Sequence, residues 1–246
     1  VSGVLVFIMT ISVGLLEIGE LGEDYKRSLL KTIIMTGSAF FFMGFLGFNI
    51  AFAPTLSGVI GNPIYNGPFL GGFSPNPFGV LSNVWWSMAS NYFNTGITLP
   101  VYFFYEVAFA SVTLALVGVV ALRKMKLSAF FICSIVYFLL IWNLPAAWIW
   151  SPTGWFYLQG VRAFAGGLVV HGAAGAAGLG IVLQIWREEK KKGFSKSPQV
   201  PLKPSPGWLT ISILLLWLGW FGFNSGSTLA WNVSAQIACI STFLAA

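Results

Sequence analysis

Ala163-Phe164-Ala165-Gly166-Gly167-Leu168-Val169-Val170-His171-Gly172-Ala173-Ala174-Gly175-Ala176-Ala177-Gly178 is the stretch on which the reading of this chain turns. It opens a run, continuing to Trp186, that holds no Asp, Glu, Lys or Arg. Such a run is long enough for a helix to cross a hydrocarbon core of ~30 Å at about 1.5 Å per residue. His171, the only histidine of the chain, lies inside it. On a helix, positions three, four and seven residues away share a face, and around His171 that face includes Phe164, Gly167, Ala174, Gly175 and Gly178. The imidazole therefore stands on a strip of small side chains. Small residues let a neighbouring helix approach closely, and they also leave room for a narrow lumen. Two readings follow from the residues alone. One is a packing helix whose histidine bonds a neighbour; the other is a functional group, because a titratable side chain within a membrane span needs compensation for its desolvation.

Composition extends this reading to the whole chain. Of 246 residues, 57% are hydrophobic and 8% charged, against roughly 25% charged in soluble domains. The expected fold class is an all-α integral membrane protein, a polytopic helical bundle of about six to seven spans. Apolar runs place the spans at about 1–21, 32–53, 99–122, 127–150, 163–186 and 207–223, with a seventh beginning near 229. The segment 54–98 is uncharged and rich in Gly, Pro, Asn and aromatics, the composition of a long covering or functional loop. Cys133 and Cys239 both lie in apolar runs and make neither a disulfide framework nor a metal-ligand spacing. The first and last residues are apolar without a charged flank, so a chain cut inside a span at both ends is expected, and no signal peptide.

The net charge of +6 is not a nucleic-acid signal. All Lys and Arg but Arg162 fall in the turns after the first, third and fifth spans. The positive-inside rule places those turns in the cytoplasm, and the amino terminus, the 54–98 loop and the turn from Trp150 to Arg162 outside. The basic run that starts at Arg187 reads first as a topology signal and second as a headgroup or partner contact. Glu106 is the exception to the charge pattern, a carboxylate within the third apolar run.

Five motifs, in register along the chain, carry a family resemblance. Phe164-Ala165-Gly166-Gly167-Leu168-Val169-Val170-His171 is similar to the fifth-span signature of the ammonium transporter (Amt/Mep/Rh) family. Gly219-Trp220-Phe221-Gly222-Phe223-Asn224-Ser225-Gly226-Ser227 resembles its sixth-span motif. Gly14-Leu15-Leu16-Glu17-Ile18-Gly19, followed by Lys26, resembles the end of its first span. Phe109-Ala110-Ser111-Val112-Thr113 and Ser128-Ala129-Phe130 resemble its third and fourth.

The resemblance implies roughly eleven spans in two inverted halves, of which this chain holds the first and little of the second. It implies a homotrimer in which each protomer carries its own pore. Trp150 matches the tryptophan that shapes the outer vestibule, and Ser227 the hydroxyl that meets the arriving ion. Phe109 takes part in that recruitment and pairs with Phe223 as the gate below. His171 matches the first of two pore histidines. The implied function is transport of ammonium, deprotonated at the vestibule and passed as ammonia, across the cell membrane. No enzyme activity, metal or cofactor is implied, and a PII-type regulatory protein is a possible partner on the cytoplasmic face. An ammonium-sensing input domain, a Rhesus-type passive channel for ammonia or carbon dioxide, and a structural subunit of a mixed trimer are the alternatives.

The chemistry of the residues agrees with the leading reading. Desolvating ammonium costs several kcal/mol or more, which aromatic faces at ~0.5–2 kcal/mol each and a hydroxyl acceptor partly offset. Neutral imidazole both donates and accepts, so it can hand on a neutral amine or relay a proton. Two positions depart from the family pattern. Ala163 stands where the fifth-span signature normally opens with Asp, and Glu106 stands where an amide is usual. Glu106 shares a helix face with Phe109 and Thr113, one turn from the gate. Either it replaces the missing negative charge, or it is a protonated or interface-paired structural residue.

Overall fold

The computed structural model describes residues 1–22, 24–63, 97, 99–121, 125–193 and 203–245. Six helices in it are long and apolar enough to cross a membrane: α1 (Ser2–Leu21), α2 (Tyr25–Phe52), α3 (Pro100–Ala121), α4 (Leu127–Ile149), α6 (Gly167–Lys192) and α7 (Pro206–Gly226). A short helix α5 (Trp155–Leu158) lies between α4 and α6, and α8 (Val233–Ala245) ends the described chain. The protein is a helical membrane bundle.

Three helix starts differ from the sequence expectation: the last helix begins at Val233, not near 229, and two others differ for a physical reason. The second helix begins at Tyr25, not near 32. Asp24 caps it by accepting from the backbone N–H groups of Lys26 and Arg27, satisfying donors that an uncapped start leaves open. One of the charges that suggested a loop, Lys31, is accommodated inside the bundle. Lys31 Nζ lies 2.9 Å from Glu17 Oε2, both side chains buried, and Ser28 Oγ donates to Glu17 Oε2 at 3.3 Å and to the Gly14 carbonyl at 2.8 Å. The fifth long helix begins at Gly167, not at 163. Gly166 has φ 106°, a left-handed conformation that L side chains rarely adopt, so the chain turns there before the helix starts. The helix then runs past Trp186 to Lys192, its last turn carrying Lys190, Lys191 and Lys192 at the carbonyl end, where cations meet the helix dipole favourably. The sixth span is also longer than 207–223, opening with Pro206 at its first turn and closing at Gly226.

Helix α3 is the centre of the bundle. Its residues Tyr102, Phe103, Val107, Ala108, Phe109, Ala110, Val112, Leu114, Ala115 and Val117 are all buried, as expected of a helix apolar on every side. It packs against α1, α2 and α6, and α1 packs in turn along α7. Between apolar helices in lipid the association comes from close packing and polar cross-links more than from the hydrophobic effect. Both are present. A Cβ on Gly222 would stand 2.5 Å from Leu5 Cβ, and one on Gly219 would collide with Met9. Ser134 donates to Ser38 at 2.9 Å between α4 and α2, and Thr10 to Ser111 at 3.3 Å between α1 and α3.

Three helices carry π turns: Met43–Gly47 in α2, Tyr137–Ile141 in α4 and Gly167–Gly172 in α6. The first two touch, with Gly47 against the Phe138 carbonyl that also accepts from Asn143 Nδ2. The third holds His171. Insertions of this kind are frequent at functional sites.

The segment after Pro54 is not wholly irregular. Thr55–Leu56 and Ile60–Gly61 form a two-stranded hairpin, β1 and β2. It is fastened to the far end of α4 and to α5: Thr55 N donates to Thr153 Oγ1 at 2.8 Å, Trp148 Nε1 to the Val59 carbonyl at 2.6 Å, and Trp155 N to the Gly58 carbonyl at 3.0 Å. The rest of the expected 54–98 loop, residues 64–96 and 98, lies outside the described residues.

Candidate functional site

A cavity of about 240 Å³ opens at the end of the bundle where α3, α4 and α7 meet. Tyr102, Tyr105, Glu106 and Phe109 line it from successive turns of α3. Trp150 and Pro152 come from the end of α4 and the turn after it, Tyr157 from α5, Phe164 from the segment before α6, and Ser227 and Leu229 from the end of α7. Of the residues singled out from sequence, Glu106, Phe109, Trp150 and Ser227 are thus brought to one cavity. No Lys, Arg or His lines it among the described residues.

The aromatic walls hold each other. The Phe109 ring stacks on Phe223 with centroids 4.3 Å apart and stands edge-on to Trp150 at 5.9 Å. Both phenylalanines are buried, although 114 sequence positions separate them. His171 neighbours the same Phe223, its ring centroid 6.1 Å from that of the phenylalanine. Trp150 is fixed by its indole Nε1, which donates to the Ala163 carbonyl at 2.6 Å.

Polar groups close the cavity floor. Ser227, at the carboxyl end of α7, donates to the Phe223 carbonyl at 2.7 Å and exchanges a hydrogen bond of 3.2 Å with the Tyr105 hydroxyl. Tyr105 also reaches the carbonyls of Gly222 and Phe223 at 3.3 and 3.2 Å. Glu106 is 4% exposed. It accepts a hydrogen bond from Tyr102, one turn back on the same helix, while its Oε2 has no hydrogen-bond partner among the described residues.

Tyr105 is a member of the site that the sequence reading missed. A signal was available: it lies four residues before Phe109, so it shares the helix face of Phe109 and Glu106. The face expected around His171 is the part that fails. Phe164 is not on the helix at all; it precedes Gly166 and lines the cavity instead. The π turn at Gly167–Gly172 shifts the register, so α-helical spacing does not apply before His171. On its other side Ala174 and Gly178 are buried, Gly178 against Val120 of α3, while Gly175 is exposed.

The described residues contain no cluster of three or more His, Cys, Asp or Glu that could hold a metal ion. What the arrangement offers is a carboxylate, the hydroxyl-bearing side chains of Tyr102, Tyr105, Tyr157 and Ser227, and aromatic faces around one small cavity, a combination suited to a small cation.

Comparison with known proteins agrees with this architecture. The family model described as Ammonium Transporter Family matches residues 1–246. The ammonium transporter of Aquifex aeolicus (strain VF5) is 32% identical over 252 residues, covering 100% of this chain and 52% of that protein. Ammonium transporter 1 of Dictyostelium discoideum is 32% identical over 247 residues, covering 98% of this chain and 49% of that protein. The chain therefore spans about half the length of these curated relatives. Among solved structures, Mep2 of Saccharomyces cerevisiae shares the fold with a TM-score of 0.75 at 24% identity, over 99% of this chain and 51% of that one. A structure named Sensor Amt Protein shares it with a TM-score of 0.76 at 23% identity, over 99% of this chain and 57% of that one. With six apolar spans, five motifs in register and a family match across its whole length, the chain belongs to the ammonium transporter family.

Proposed function

We propose that this protein conducts ammonium nitrogen across the membrane, receiving the ion in the cavity under Trp150 and passing ammonia between Phe109 and Phe223 toward His171. The observation that carries the reading is a chain of neighbouring groups that runs from the cavity through Phe109 and Phe223 to His171. A carboxylate, a hydroxyl and aromatic faces come first, then two stacked apolar rings, then an imidazole. A cation about 4 Å from an ionised carboxylate gains about 4 kcal/mol at an effective dielectric constant of about 20. The faces of Trp150 and Phe109 add ~0.5–2 kcal/mol each. Glu106 in this reading supplies the outer negative charge that Ala163 does not. The stacked rings offer a cation nothing but further desolvation, whereas neutral ammonia loses much less on entering. His171 receives it with a ring that can donate or accept.

The proposal extends to setting. The amino terminus lies outside the cell membrane and the Lys190, Lys191 and Lys192 end of α6 in the cytoplasm, because every basic residue but Arg162 falls on that side. From the family resemblance alone, three copies assemble, and a PII-type regulator docks on the cytoplasmic face.

The test uses the whole gene product, reconstituted in liposomes with an imposed ammonium gradient. The wild type takes up ammonium. His171→Leu keeps the fold and assembly by gel filtration and loses at least about ten-fold in uptake, the cost of one functional hydrogen-bonding group of roughly 1.4 kcal/mol or more. Equal uptake by wild type and His171→Leu removes the histidine from the mechanism. No uptake by the wild type removes transport.

A further inference from the structure

We propose that Glu106 is the proton acceptor for ammonium, the group at which the ion becomes ammonia before the Phe109–Phe223 pair. The inference rests on the transport reading above and assigns to a named atom a step that the reading leaves without one.

Four observations carry it. First, Glu106 lines the cavity and is 4% exposed, so few water molecules hydrate its carboxyl group. Second, its two oxygens are not equivalent. One accepts from Tyr102, and Oε2 has no hydrogen-bond partner among the described residues. A buried carboxylate oxygen left open is costly, and it is the natural place for an N–H donor to dock. Third, no basic side chain among the described residues lines the cavity, so an arriving cation is the counter-charge the carboxylate lacks. Fourth, Glu106 is three residues before Phe109 on α3. This puts acceptor and gate on adjacent turns of one face, so ammonia released at Oε2 is formed beside the rings it must pass.

The other polar groups of the cavity are less suited to the task. The Tyr105 hydroxyl is engaged with Ser227 and with the carbonyls of Gly222 and Phe223, and Ser227 already donates to Phe223. They can orient the ion as acceptors, but an alcohol or phenol holding its own proton is no base. Within this cavity, Glu106 is the group whose ionised form is stable in water at neutral pH and whose protonated form is neutral.

The step balances within the ion and the residue. One N–H bond of ammonium breaks and leaves its electron pair on nitrogen. An O–H bond forms at Oε2. The products are ammonia and a carboxylic acid, both neutral. In a poorly hydrated cavity this exchanges two buried charges for none, which removes the desolvation cost of each. Ammonia moves on between the rings, and the acid returns its proton to the water of the vestibule, which restores the carboxylate. Potassium has no proton to give and stays as an ion at the rings.

The experiment pairs a spectroscopic reading with a flux. Infrared difference spectra are recorded on the whole protein in lipid, with ammonium chloride against potassium chloride at equal concentration. The expected result is a carbonyl stretch of a protonated carboxylic acid in the wild type with ammonium, absent with potassium, and absent in Glu106→Gln. Ammonium uptake into liposomes falls on the order of 100-fold in Glu106→Gln, the low end for removal of an acid–base group, and Glu106→Asp retains more than Glu106→Gln. The infrared measurement on the wild type stands even where the glutamine variant fails to fold. If the wild type takes up ammonium without the carboxylic-acid band, or the band persists in Glu106→Gln, or Glu106→Gln transports as fast as wild type, Glu106 is not the acceptor and the transport reading survives. If the wild type takes up no ammonium, both fall together.

Discussion

Replacing Lys31 by Met tests whether the α1–α2 hairpin is held by charge. Lys31 Nζ and Glu17 Oε2 are 2.9 Å apart with side-chain exposures of 3% and 1%. Methionine keeps most of the length and apolar contact of the lysine stem and deletes the ammonium group. Glu17 then stays behind between α1, α2 and α3, with Ser28 Oγ at 3.3 Å as one donor and Gly118 of α3 close by. A hydroxyl does not neutralise a charge, so the expected loss is about 3–5 kcal/mol, the range for removing one member of a buried ion pair. Glu17→Gln should cost a similar amount by removing the carboxylate that faces the lysine at 2.9 Å. The double variant Glu17→Gln/Lys31→Met buries no charge, and its loss should be well below the sum, leaving a coupling energy of about 2 kcal/mol or more. The assay is unfolding of the purified protein in mixed micelles by sodium dodecyl sulfate, followed by tryptophan fluorescence, for the four members of the cycle. If Lys31→Met lies within about 0.5 kcal/mol of the wild type, or the two substitutions simply add, the buried pair does not hold the hairpin.

Phe109→Leu and Phe223→Leu should each destabilise the protein, and their double-mutant cycle should return about 0.5–1.5 kcal/mol for the 4.3 Å ring stack; a coupling of zero would mean the rings share a space without an interaction. Gly166→Ala forces an L residue to φ 106° and sets its Cβ 2.5 Å from Val170 Cγ2 and 3.3 Å from Trp150. It should cost at least about 1–2 kcal/mol in the same unfolding assay, and wild-type stability would show that the turn before α6 relaxes freely. Single cysteines placed at Asn62 and at Lys191 in a background lacking Cys133 and Cys239 should label differently with an impermeant thiol reagent on intact cells, Asn62→Cys reacting and Lys191→Cys protected. The reverse pattern would invert the orientation.

Much of the bundle was legible because uncharged length is a one-dimensional property. The runs ending at Ala121, beginning at Leu127 and flanking the turn at Arg162 needed no knowledge of neighbours. The start of α2 was hidden because Lys31 is neutralised by a residue 14 positions away, and a charge that finds its partner in space looks like a loop charge in sequence. The gathering of Glu106, Phe109, Trp150 and Ser227 was legible from motif order, and the place of Glu106 in the cavity from helical spacing alone. The strip around His171 was misread for the opposite reason. A π turn and a left-handed glycine break the 3.6-residue arithmetic, and neither leaves a mark beyond two adjacent glycines. Tyr105 was passed over because a tyrosine in an aromatic span resembles packing until its hydroxyl is found against Ser227.

The indole of Trp150 is anchored to the main-chain oxygen of residue 163, and every amino acid supplies that same oxygen. The indole anchor is consequently independent of which side chain stands there, while the side chain itself packs in the core. An aspartate there would offer the tryptophan the same carbonyl and would differ from alanine by a carboxylate on a buried position. Position 163 is a socket: the fitting can be exchanged while the wall around it stays in place. Orientation and charge are thereby assigned to different atoms: the main-chain oxygen of residue 163 fixes the indole, and the side chain alone decides the charge at that position.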